Sequence, residues 1–129
     1  MDQQSETHVN CILEDESGAF WFATQEKGLI RFDGDTFTNV TEQEGLSGIE
    51  VSHVYEDSGG NIWFTAEGLG VCRYDGTSLT RISKYDGLGS HATFSITEDV
   101  EGRMWFVGFL GAYRYDGHSL VNVTRDGPW

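Results

Sequence analysis

The chain has 129 residues, 38% of them hydrophobic and 13% aromatic, which is enough apolar surface for one folded domain and too much for a disordered tail. Eight Lys and Arg stand against 21 Asp and Glu, a net charge of −13, so the chain repels phosphate backbones and anionic lipid heads, and neither nucleic acid nor a membrane surface is expected as a partner. No apolar run approaches the roughly 18 residues of a spanning helix, and no charged segment followed by an apolar stretch opens the chain as a signal peptide would.

In chain order, the first feature is a strand opening at Val9 and closing at Glu14-Asp15, followed by a turn with Gly18. Trp21-Phe22 comes next, then Arg31-Phe32-Asp33-Gly34, and Gly45-Leu46 closes the segment. The same features then recur 42 residues later as Glu56-Asp57, Gly60, Trp63-Phe64, Arg73-Tyr74-Asp75-Gly76 and Gly87-Leu88. A third copy holds Glu98-Asp99, Gly102, Trp105-Phe106 and, one residue early, Arg114-Tyr115-Asp116-Gly117, with Asp126-Gly127 beginning the same close. The chain is therefore three repeats, bounded at 8–49, 50–91 and 92–129.

Each repeat reads as four short strands. In the second, Val51 to Tyr55 (with Glu56) is a strand, Asp57-Ser58-Gly59-Gly60 a turn, and Asn61 to Ala66 a strand rich in β-forming Ile62, Trp63 and Phe64. A loop over Glu67 to Gly70 leads to a strand at Val71 to Tyr74, a tight turn at Asp75-Gly76 and a last strand at Leu79 to Ser83. No segment keeps an apolar stripe at helical spacing over three turns, so the fold class is all-β. Four strands and one Trp in about 42 residues describe a propeller blade. Trp63, Phe64 and Ile62 of this second strand are expected to fill the wedge between neighbouring blades.

The string Glu56-Asp57-Ser58-Gly59-Gly60-Asn61-Ile62-Trp63-Phe64, followed by Gly68-Leu69 and Arg73-Tyr74-Asp75-Gly76, resembles the two-component regulator propeller repeat. The resemblance extends over all three repeats. It implies sensor propellers of bacterial hybrid histidine kinases, commonly seven-bladed, placed in the periplasm or outside the cell and binding glycans or other small ligands. Where that family commonly has Gly-Thr after the Trp-aromatic pair, this chain has Ala23-Thr24, Thr65-Ala66 and Val107-Gly108.

Three blades do not close a propeller, which takes four to eight. A homodimer joined head to tail would supply six blades and a homotrimer nine; the dimer is the expected ring. The other origin of an open ring is a segment of a longer propeller.

The repeated Asp-Gly and Glu-Asp pairs are expected to shape turns rather than to hold cations, since no calcium-loop pattern is present. Cys11 and Cys72 allow either one disulfide or two free core thiols. His8, His53, His91 and His118 fall at different phases of the repeat and form no ligand set; no metal or cofactor is expected. His53 is equivalent to Cys11 and Ser95 on the innermost strands, where it would fill space or, bordering the central channel, serve as a further candidate ligand-binding residue. The loops that differ between repeats are the candidate binding positions: Gln25, Glu26, Lys27, Glu67, Phe109 and Leu110 between second and third strands, and His91 in a connection. No nucleophile elbow or phosphate loop is present, so the expected role is a non-catalytic binding scaffold. A purely structural assembly module and a propeller lyase or hydrolase are the competing classes.

Overall fold

The computed structural model describes residues 6–82, 93–108 and 111–125. The first repeat forms β1 (Val9–Glu14), β2 (Phe20–Thr24), β3 (Leu29–Phe32) and β4 (Phe37–Asn39), followed by one helical turn, α1 (Val40–Gln43). The second forms β5 (Val51–Glu56), β6 (Ile62–Ala66), β7 (Gly70–Tyr74) and β8 (Leu79–Arg81). The third forms β9 (Thr93–Glu98), β10 (Met104–Gly108), β11 (Gly111–Tyr115) and β12 (Leu120–Asn122). Each repeat is its own four-stranded sheet, paired in chain order with every pair antiparallel. The all-β, propeller-type architecture read from the sequence is the one the chain adopts, with three blades.

The short helix α1 departs from the sequence reading, in which the equivalent of the Leu79 to Ser83 strand runs on through residue 41. It forms because the Asn39 side chain accepts from the Glu42 N–H and caps the turn. Val40 and Thr41 are buried beneath it, and Gly45, at φ +83°, turns the chain away. The Thr41 hydroxyl also accepts from the Leu29 N–H, which ties the turn to the third strand.

A one-residue register shift interrupts each innermost strand, between Val9 and Cys11, between Val51 and His53, and opposite Val107 and Gly108. Such a bulge bends the strand and re-aims its side chains. At the first bulge Asn10 turns toward the next blade, donating from Nδ2 to the Val51 carbonyl at 3.0 Å.

Two apolar clusters hold the blades together. Trp21, Ala23, Leu29 and Val40 of the first blade pack on Val51, Val54, Ile62 and Phe64 of the second. Trp63, Val71 and Ile82 of the second pack on Ile96, Met104, Phe106 and Tyr113 of the third. The first two blades therefore present their Trp to the following blade, and the second and third present their Phe to the preceding one. Alternation along β6 produces this, since Trp63 and Phe64 are neighbours on opposite faces and both are buried. Burial of a Phe of this kind contributes roughly 1.5–3 kcal/mol.

Candidate ligand-binding face

The repeated carboxylates are committed to the scaffold. Asp57 Oδ1 accepts from the N–H groups of Gly59 and Asn61, and its Oδ2 accepts from the Trp63 indole N–H at 2.7 Å. Asp15 does the same with Ser17, Ala19 and Trp21, and Asp99 with Glu101, Arg103 and Trp105. Burial works to raise the pKa of Asp15 and Asp57, but these hydrogen bonds outweigh it and both lie below the ordinary value. For Asp99 the Trp105 indole N–H and the Arg103 backbone hold the carboxyl well below the usual carboxylate range. Asp33, Asp75 and Asp116 each accept from two backbone N–H groups of their hairpin turns, which lowers their pKa as well. The expectation that these pairs build turns matches their geometry.

Each indole, held at its edge by the Asp, carries a guanidinium over its face. Arg31, Arg73 and Arg114 lie 5.8, 5.4 and 5.7 Å from the ring centroids of Trp21, Trp63 and Trp105. Sequence reading assigned the Trp to the core but missed this grouping of Asp, Trp and Arg; the recurrence of the three residue types in every repeat, with the Arg one residue early in the third, was its signal. Beside two of the stacks lie clefts between blades, of about 320 Å³ around Trp21 and Tyr74 and about 530 Å³ around Trp63 and Tyr115. Their equivalence by repeat makes them products of blade packing.

A second repeated contact also escaped the sequence reading. Glu56 of the second blade accepts from the Glu16 N–H in the first blade's turn at 3.0 Å. Glu98 of the third blade accepts from the Ser58 N–H and hydroxyl in the second blade's turn, at 2.9 and 2.7 Å. The Glu of the second and third Glu-Asp pairs thus reaches back to the preceding blade.

The turns joining second and third strands lie at the opposite end of the strands from these carboxylates. Gln25, Glu26 and Lys27 are exposed there and, with Glu6, Thr7 and His8, line a cleft of about 260 Å³. The Gln25 N–H donates to the His8 carbonyl, and the Lys27 carbonyl accepts from Asn39 Nδ2, so the backbone of this turn is fixed while its side chains are free to face solvent. Glu67 is exposed on the equivalent turn of the second blade, fixed by its N–H to the Glu50 carbonyl. It does not line the cleft of Gln25, Glu26 and Lys27. His91, Phe109 and Leu110 lie outside the described residues.

His53 sits apart from those turns, half-buried on β5 opposite Thr65. Burial lowers its pKa, favouring the neutral imidazole. Its equivalent Cys11 aims its thiol at the Val54 carbonyl of the next blade, 3.9 Å away. Both cysteines are free thiols; Cys72 is buried, and desolvation pushes its pKa up to about 12. Among the described residues no group of His, Cys, Asp and Glu is arranged to hold a metal, and no helix is long and apolar enough to cross a membrane.

Comparison with known proteins agrees with this architecture. Residues 3–26 match the family model of the two component regulator propeller. The extracellular domain of a putative hybrid two component system from B. thetaiotaomicron is 27% identical, with a TM-score of 0.68 over 88% of this chain and 16% of that one. Virginiamycin B lyase from Staphylococcus aureus is 17% identical, with a TM-score of 0.72 over 94% of this chain and 43% of the lyase. PorZ, a surface component of the type-IX secretion system of Porphyromonas gingivalis, is 13% identical, with a TM-score of 0.64 over 83% of this chain and 17% of PorZ. The chain spans less than half the length of each of these structures. No curated protein sequence matches it. The chain is a propeller scaffold similar to two-component sensor domains.

Proposed function

We propose that this scaffold is non-catalytic, binds a small ligand or glycan on the face carrying the β2–β3 and β6–β7 turns, and completes its ring with further copies of the chain. One observation carries the binding assignment. At one end of the blades every β-turn after the innermost strand opens with an Asp making the same hydrogen bonds, while at the other end the exposed polar side chains of the first two blades differ on rigidly held backbone. A rigid frame presenting variable polar loops is the usual arrangement of a recognition surface. The cleft at Gln25, Glu26, Lys27 and His8 offers amide, carboxylate and ammonium groups to sugar hydroxyls. A non-catalytic role is supported by the carboxylates: the six Asp side chains of the turns already accept backbone N–H groups with depressed pKa values, which suits neither a general acid nor a base poised near neutral pH. The extracellular setting of the B. thetaiotaomicron domain supports placing this chain outside the cytoplasm.

A thermal-shift screen against neutral and acidic oligosaccharides tests the reading. A ligand present at about a hundred times its Kd stabilises the folded chain by about 2.7 kcal/mol, and the shift is lost in Lys27→Ala and Gln25→Ala. Uniform melting temperatures across the panel, or a shift that survives both substitutions, would contradict it.

A further inference from the structure

The two outward faces of the end blades are complementary to each other, because each repeats one half of an interface already formed inside the chain. Exposure shows which half. Val54 and Ile96 are 3% and 5% exposed, whereas their equivalent Ile12 is 58% exposed; Leu120 is 3% exposed, whereas Phe37 is 65% exposed. The first blade's free face therefore repeats the faces that the second and third blades turn toward their predecessors. At the other end, Val40 and Ile82 are 2% and 6% exposed but their equivalent Val123 is 40% exposed. Val107 is likewise 40% exposed where Ala23 and Thr65 are buried, and Trp105 is only partly covered. The third blade's free face repeats the Trp faces that the first and second blades turn toward their successors.

The polar contacts follow the same direction. Glu56 holds the Glu16 N–H and Glu98 holds the Ser58 N–H. The next members of both series are Val100, exposed in the third blade's turn, and Glu14, exposed at the end of β1. The aromatic contacts are also in phase: Trp21 meets Tyr74 edge-on at 6.0 Å and Trp63 meets Tyr115 at 5.5 Å, which leaves Trp105 and Phe32 as the next pair.

We propose that a second copy of this chain docks head to tail on these faces, with Ile12, Phe22 and Phe37 of one copy against Trp105, Val107 and Val123 of the other, and Glu14 accepting from the Val100 N–H across the seam. This rests on the reading that copies of the chain complete the ring. A second copy fits because it supplies both halves, in the right order, of an interface that the chain already makes twice. The contact is heterologous, so it uses two different faces and closes when the rotation per blade allows.

Sedimentation of complementary face variants tests the seam. Ile12→Lys spoils the first face and Val107→Lys the last, both at exposed positions, and circular dichroism checks that each still folds; Val123→Lys replaces the second should it not. Each variant alone is expected at single-chain mass, and their mixture at a two-chain mass in one-to-one ratio, because one intact seam remains between them. Val100→Pro removes the seam N–H at the second position of a turn where Pro is well tolerated, and is expected to weaken assembly about tenfold. A wild-type chain at single-chain mass overturns ring completion by copies altogether. A wild-type assembly that persists in either Lys variant, or a mixture that stays at single-chain mass, overturns the head-to-tail seam while leaving self-assembly standing. Unchanged assembly of Val100→Pro removes the Glu14 contact from it.

Discussion

The carboxylate of Asp57 lies 2.7 Å from the indole nitrogen of Trp63 and at the same time caps its own turn through two backbone N–H groups. One side chain thereby fixes the β5–β6 turn and the orientation of the largest residue between the second and third blades. Asp57→Asn keeps one acceptor but points an amide donor at another donor. Either the indole N–H, on a side chain only 3% exposed, or the two turn N–H groups then lose their acceptor. Chemical denaturation should report a loss of about 1–3 kcal/mol. An unchanged midpoint would mean that water takes the place of the lost acceptor and that the second carboxylate oxygen contributes nothing.

Glycine is required at position 28 for two reasons. Its φ is +70°, and a Cβ there would collide with the Thr41 hydroxyl that accepts from Leu29. Gly34 also has positive φ, +104°, but nothing lies near where its Cβ would be. Gly28→Ala should therefore cost about 2–4 kcal/mol, backbone strain plus overpacking, and Gly34→Ala only about 1–2 kcal/mol. Equal losses measured by thermal unfolding would show that Thr41 moves aside freely.

Acid should destabilise the chain in two stages. The folded pKa of His53 lies below its ordinary 6.5, so the unfolded chain takes up its proton first, and this contribution to stability is present above pH 6.5 and lost as the pH falls below it. Asp15 and Asp57 lie below their ordinary 3.8, so their contribution is present above about that pH and is lost as the pH falls further. His53→Ser, which installs the residue found at the equivalent position 95, should flatten the upper stage and leave the lower one. A melting temperature that still falls between pH 6.5 and 5 in that variant would assign the upper stage elsewhere.

Glu56 shows the opposite sign. Burial raises its pKa, the Glu16 N–H partly offsets this, and the charges of Asp15, Glu16 and Asp57 raise it further. With the folded pKa above the unfolded one, ionised Glu56 is a net burden at neutral pH. Glu56→Gln keeps a carbonyl acceptor for the Glu16 N–H and removes the charge. Because water screens this site, the gain at pH 7 should be no more than about 1 kcal/mol, and it should vanish below about pH 4.5. A loss of stability at pH 7 would show that the hydrogen bond needs the full negative charge.

The blade and its strand order were legible because repetition removes ambiguity: Trp21, Trp63 and Trp105 in register, each flanked by the same turns, leave one four-stranded unit as the reading. The direction of blade contact was not legible. It depends on which face Trp63 and Phe64 take, and adjacent residues on a strand give opposite answers until the sheets are packed. The helical turn at Val40–Gln43 was missed because a single capped turn is too short to show periodicity. The candidate site divided for a similar reason. Gln25, Glu26 and Lys27 are neighbours in sequence and share one cleft, whereas Glu67 and His53 both belong to the second blade, and their distance from that cleft is fixed only by the tertiary arrangement.

The account stands most directly on the absolute mass of the chain in solution, measured by light scattering after gel filtration at several concentrations. It predicts a mass near twice 14.4 kDa, two three-bladed chains sharing two equivalent seams. A stable, well-folded species at 14.4 kDa throughout the concentration series would contradict it, for Ile12, Phe37, Val107 and Val123 would then face water in the native state.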